Sequence, residues 1–123
     1  MKLSYPTHPD RGGLAVITPP AEIDHTNAKP LQDEMKAALE RGIITVVIDM
    51  SKTTFCDSAA LATLCEAHQR ASAMNANLRL VISQPGIRRI FEITGLDEVM
   101  PIYASLDAAE SNIADERHGP APL

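Results

Sequence analysis

Few side chains in this 123-residue chain are suited to chemistry, and the densest group is Cys56-Asp57-Ser58, inside the stretch TFCDSAALATL. A serine hydrolase needs a histidine to take the hydroxyl proton and a carboxylate on the far side of that histidine to orient it. His68 stands ten positions further along the same predicted helix, nearly three turns away at about 1.5 Å per residue, so it cannot reach Ser58. His25 can approach only through the fold. Asp57 adjoins Ser58 and so cannot orient a base that must lie between them. Cys56 is a poor nucleophile beside a carboxylate that raises its pKa and suppresses the thiolate. A Ser or Asp at a helix start, by contrast, accepts a hydrogen bond from a backbone N–H that has no helical partner, typically worth ~1 kcal/mol. The residues by themselves therefore make Ser58 a helix cap.

The rest of the chain offers no competing site. His8, His25, His68 and His118 are widely separated, and Cys56 and Cys65 match neither a CxxC redox motif nor a zinc pair, so no metal or cofactor is expected. No GxGxxG, Walker A, HExxH, GxSxG or EF-hand pattern occurs. His68, on the apolar stripe of its helix, reads as a packing residue. The runs DEMK and DERH read as solvated faces. With 16 acidic against 11 basic residues the net charge is -5, the basic residues are scattered apart from Arg88-Arg89, and aromatics are 3% of the chain. Neither a phosphate-binding stripe nor stacking platforms for bases are available, so nucleic-acid binding is not expected. Apolar runs have the length of single strands and no signal-like N-terminal pattern is present, which predicts a cytoplasmic protein without membrane insertion.

The elements that must position these residues follow from periodicity. MKLSYPTHPD and LAVITPP, separated by the turn Arg11 to Gly13, predict a β-hairpin with its first strand at an edge, where Pro6 and Pro9 do least harm. Leu31, Met35, Ala38 and Leu39 recur with helical spacing, with Thr26 or Asn27 as cap and Gly42 as stop. The β-branched run IITVVID, without alternation, predicts a strand covered on both faces. A helix from about Ser58 to Asn75 carries Leu61, Leu64, Cys65, His68 and Ser72 along one stripe. LRLVI is a strand, and a short helix follows with Ile87, Ile90, Phe91 and Thr94 inward and Gly95 closing it. EVMPIYA is a weaker strand, and a last helix is capped by Ser105 with Leu106, Ala109 and Ile113 inward. The order β-β-α-β-α-β-α-β-α predicts an α/β domain, a mixed, mostly parallel sheet with an N-terminal hairpin and about four helices. The domain is expected to span 1–115, with 116–123 a flexible tail.

Taken together, TVVIDMSKTTFCDSAALATL resembles the signature of the STAS domain of bacterial anti-sigma factor antagonists: a strand, a short loop, F-x-DS and a helix. AEIDHTNAKPLQDEM resembles the family's G-E-hydrophobic-D segment, and LRLVISQPGIRRIFEITGLDEVMPIY its V-R-R to (S/T)-G-L segment. Ala21, Ala60 and Ala62 depart from the pattern, standing where the family commonly has glycine. The resemblance implies a non-enzymatic regulator that binds an anti-sigma factor serine kinase when unphosphorylated and frees a sigma factor. It implies Ser58 as the phosphoacceptor, with a PP2C-type phosphatase removing the phosphate. Asp24, Asp57, Ser58, Ala59 and Ala60 would then form the partner-binding surface. The same fold also serves as a docking subunit of other assemblies, such as a stressosome-like scaffold or the partner of an ABC-type lipid transporter.

Overall fold

A computed structural model describes residues 2–4 and 13–111 of the chain. The readings placed on Pro6, Pro9, Arg11, Gly12, Ile113, the 115/116 boundary and the tail lie outside the described residues. β1 (Lys2–Ser4) pairs antiparallel with β2 (Leu14–Thr18), Leu3 opposite Ile17, as the hairpin reading requires. β4 (Thr45–Asp49), β6 (Asn77–Val81) and β7 (Ile102–Tyr103) extend the sheet in parallel from β2, in the order β1-β2-β4-β6-β7. The sheet is thus mixed and mostly parallel, as expected.

β4 is the central strand, and its residues Thr45 to Ile48 are all buried. That is the physical meaning of its unbroken β-branched run: a strand covered on both faces has no solvent face to mark with polar residues. Ala15, Ile17, Val46, Ile48, Leu78 and Leu80 point to one face, where they join the main core beneath three helices. Leu14, Val16, Val47 and Val81 point to the other and gather with Ala109, Leu106 and Tyr103.

α1 (Ala28–Glu40) buries Ala28, Leu31, Met35, Ala38 and Leu39, the expected stripe with one addition. Asn27 is its N-cap residue by backbone position and Gly42 follows at φ +88, a left-handed conformation in which a side chain is strained. α2 (Ser58–Ala73) differs from the reading. Its buried face is Ala60, Leu64, Ala67 and Ala71, while Leu61 and Cys65 pack at the margin, His68 is half-buried and Ser72 is exposed. The buried stripe recurs at helical spacing (60, 64, 67, 71), with three alanines and one leucine facing the core and Leu61 and Cys65 at its margin. In α3 (Pro85–Thr94), Ile87 and Phe91 are buried and Ile90 packs at the edge, but Thr94 is exposed. Its hydroxyl instead donates to the carbonyls of Ile90 and Phe91 at 2.8 and 3.2 Å, satisfying itself within the last turn. Gly95 ends the helix at φ +78.

Two features escaped periodicity. Arg79 is wholly buried in β6; its Nη1 donates to the Ala109 carbonyl at 2.6 Å and its guanidinium lies 5.7 Å from the centre of the Tyr103 ring. It ties α4 (106–111) to the second face of the sheet. Ser105 caps that helix as expected, accepting from the Ala108 N–H at 3.1 Å. The other is a separate two-stranded parallel ribbon, β3 (Glu22–Ile23) with β5 (Phe55–Cys56), too short to show a period.

The packing makes a direct forecast. Phe91→Ala, which empties a site with no exposure, should lower unfolding free energy by about 3–5 kcal/mol. Ile93→Ala, two residues on and 71% exposed, should change it by less than about 0.5 kcal/mol. Urea titration of both variants checks this, and equal costs would contradict the assigned inner face.

Candidate functional site

The short ribbon builds the site. Glu22 pairs with Phe55 and Ile23 with Cys56, and the pairing continues through the Asp57 N–H, which donates to the Ile23 carbonyl at 3.2 Å. At its other end the Thr54 N–H donates to the Ala21 carbonyl at 2.8 Å. Ile23 and Cys56 turn into the core, which fixes the ribbon to the domain. The chain leaving β3 and the chain leaving β5 therefore emerge side by side, carrying Asp24-His25 and Asp57-Ser58 to one corner.

Asp57 holds that corner together. One carboxylate oxygen, Oδ1, accepts from the Ala60 N–H at 3.0 Å; the other, Oδ2, accepts from the His25 N–H at 3.0 Å. Asp57 is thus the N-cap of α2, with extended backbone at φ -93 and ψ -178. This corrects the sequence reading that Ser58 caps the helix. Ser58 is the first helical residue and is exposed. Asp wins the position because a cap must be extended while its side chain reaches a donor three residues on, and Asp57 meets both conditions one residue earlier.

Asp24 organises its own loop. Its carboxylate accepts from the Thr26 N–H at 2.9 Å and from the Thr26 hydroxyl, while its N–H donates to the Asn27 side chain at 2.9 Å. The Asn27 amide in turn donates to the Glu22 carbonyl at 2.8 Å. Of the five residues expected to form one surface, Asp24, Asp57 and Ser58 meet here. Ala59 is half-buried, and Ala60 is completely buried. The Ala60 side chain is core, which corrects its placement on the surface, and its contribution to the corner is the N–H that Asp57 caps. Of the alanines in place of glycine, Ala62 is exposed on α2 and Ala21 is exposed, with its carbonyl facing β5.

The electrostatics follow from these bonds. The Ala60 N–H first, then the His25 N–H and ring, hold Asp57 below the usual carboxylate range, against partial burial and the Asp24 charge. The Thr26 hydroxyl and N–H lower Asp24 in the same way. Burial, and then the Asp57 charge, push the Cys56 thiol up to about 11, which removes it as a nucleophile at neutral pH. His25 is brought within 3.6 Å of Asp57, ring Nδ1 to Oδ2, an approach that sequence reasoning left to the fold. His25 and Phe55, one of two phenylalanines and 49% exposed, are the neighbours of this corner that the reading did not place in it. The pairing of β3 with β5 brings His25 here, whereas Phe55 is the aromatic of the F-x-DS motif. Among the described residues no group of three His, Cys, Asp or Glu side chains could hold a metal ion. No helix among them is long and apolar enough to cross a membrane.

Asp57 binds fewer protons in the folded protein than unfolded near its ordinary value of 3.8. Its contribution to stability is therefore present above that pH and lost as pH falls through the lower folded value. Asp57→Ala should lower the melting temperature at pH 7, and the gap from the parent should narrow as pH drops below about 4. A pH-independent gap in thermal melts would contradict this role.

Comparison with known proteins agrees with the geometry. Rv2638 of Mycobacterium tuberculosis, provisionally named an anti-anti-sigma factor, is 32% identical over 101 residues, covering 80% of this chain and 68% of that protein. The crystal structure of an anti-sigma factor antagonist from Mycobacterium paratuberculosis superposes with a TM-score of 0.76 at 26% identity, covering 93% of this chain and 96% of that one. The anti-sigma factor antagonist SpoIIAA in its unphosphorylated form has a TM-score of 0.74 at 18% identity, over 93% and 97% of the two chains. The Bacillus SpoIIAA in its phosphorylated form gives 0.61 at 15%, over 89% and 98%. The STAS domain family model matches residues 5–109, and with the sheet order, the short ribbon and the Asp57-Ser58 helix start in place, this chain belongs to the STAS domain family.

Proposed function

We propose that this protein is an anti-sigma factor antagonist of the partner-switching kind. Unphosphorylated, it binds an anti-sigma factor that is also a serine kinase, and so frees a sigma factor in the cytoplasm. Phosphorylation of Ser58 by that kinase breaks the complex, and a PP2C-type phosphatase restores it. ATP belongs to the kinase. The observation that carries this reading is Ser58 itself: exposed, in the first turn of α2, with its neighbour Asp57 occupied as the cap. A phosphate on that hydroxyl would sit at the N-terminal end of α2, where free N–H groups accept negative charge. Asp57 caps the helix through Ala60, and the Ser58 hydroxyl beside it is exposed to a partner.

The switch has a physical basis. A phosphate adds about -1.5 to -2 charges. At a helix N-terminus the free N–H groups and the helix dipole favour that charge by roughly 0.3–1 kcal/mol, so the fold survives. An interface does not. Burying a dianion beside Asp57 brings like-charge repulsion and a desolvation penalty of several kcal/mol, and each ~1.4 kcal/mol is tenfold in affinity. The names of the relatives support an antagonist of anti-sigma factors, and the capture of SpoIIAA in both forms supports a phosphorylation cycle on this fold.

The test is to mix the purified protein with its genomically neighbouring kinase and ATP and map phosphate by mass spectrometry. Modification is expected at Ser58, abolished in Ser58→Ala, and Ser58→Asp should weaken kinase binding at least tenfold. Phosphate elsewhere, or none with an active kinase, would overturn the proposal. Co-purification with a transporter ATPase in place of a kinase would point to the docking-subunit role.

A further inference from the structure

The corner that presents Ser58 is acidic, with Asp57 directly before it and Asp24 at the head of the loop that Asp57 holds. His25 enters the same corner. Its main-chain N–H is fixed on Asp57 Oδ2, and its ring Nδ1 lies 3.6 Å from that oxygen, longer than a hydrogen bond. The ring is 78% exposed on its other sides. Both Asp57 oxygens accept from main-chain donors, and the imidazole lies beside the carboxylate within ion-pair range but beyond hydrogen-bond distance.

We infer that His25 is the counter-charge residue of the modified state: its imidazolium pairs with a phosphate dianion on Ser58. This rests on the reading of Ser58 as the phosphoacceptor. Modification adds its charge one residue along from Asp57, in a corner whose carboxylates offer it only repulsion. Phosphoserine loses its second proton at about pH 6, and a positive ring beside it favours the dianion over the monoanion. The charged groups that act on the ring are Asp57, from the cap of α2, and Asp24, from its own loop. Both carboxylates are held below their ordinary pKa and stay ionised throughout this range, so their charge is constant across the titration.

Because the loop is docked through the His25 main chain, a side-chain substitution removes the ring and keeps the bond to Asp57. The experiment installs phosphoserine at 58 by genetic encoding, without a kinase, in the parent and in His25→Gln. The phosphate resonance is then followed by phosphorus NMR from pH 5 to 8 at low salt, with circular dichroism to verify folding. The parent should reach its titration midpoint at least half a pH unit below His25→Gln, about a threefold change in the ionisation constant, and added salt should shrink the difference. Coincident midpoints in two folded proteins would overturn the inference. A kinase that ignores Ser58 would sink the functional reading, a result independent of this titration.

Discussion

The corner that presents Ser58 depends on one carboxylate serving two elements. Asp57 closes the first turn of α2 through Ala60 and holds the β3–α1 loop through His25, each bond 3.0 Å long. Neither bond alone would create a site. The first is an ordinary cap, and the second is a contact across 32 residues of sequence that is affordable only because the ribbon of β3 and β5 has already brought the two strand ends together. Order is thus built in sequence: Ile23 and Cys56 anchor the ribbon in the core, the ribbon aligns its exits, and Asp57 locks them.

The locking leaves Ser58 available. A helix start has more N–H groups than helical acceptors, and a serine there would normally be drawn into capping. With Asp57 meeting that need one residue earlier, Ser58 is exposed on a capped turn. Rigidity and exposure usually oppose each other. They coincide here because the anchoring groups are the neighbours of Ser58 in the chain: Asp57 before it, and Ala60, fully buried, behind it.

The two faces of the sheet divide the remaining labour. One carries α1, α2 and α3 over a continuous core of aliphatic side chains. The other has a smaller cluster closed by α4 and by a buried arginine that spans from β6 to the Ala109 carbonyl. A buried guanidinium is costly unless its donors are met. The contact with α4 and the approach of the Tyr103 ring meet part of that cost, and they make the position of the last described helix depend on β6.

Long elements were legible in the sequence because their signals are repeated. α1 states its inner face four times over, and β4 announces double burial with an uninterrupted apolar run. The Asp57-Ser58 pair, its location at a strand-to-helix junction and the family it resembles were legible too. On α2 Leu64 was legible as core, but Ala60, Ala67 and Ala71 were not, because hydrophobicity marks alanine weakly although it packs as well as leucine on this face. Arg79 was passed over because an arginine inside a strand normally marks a solvent face, and only burial from both sides shows otherwise. The sequence by itself determined the order of elements, the parallel sheet and the residue types at the corner, since these follow from local periodicity and chain connectivity. That Ala60 turns inward and that His25 stands beside Asp57 were decided only by the tertiary structure, because both depend on contacts between segments that no local pattern records; that Asp57 rather than Ser58 caps the helix followed from the extended backbone that the ribbon imposes on Asp57.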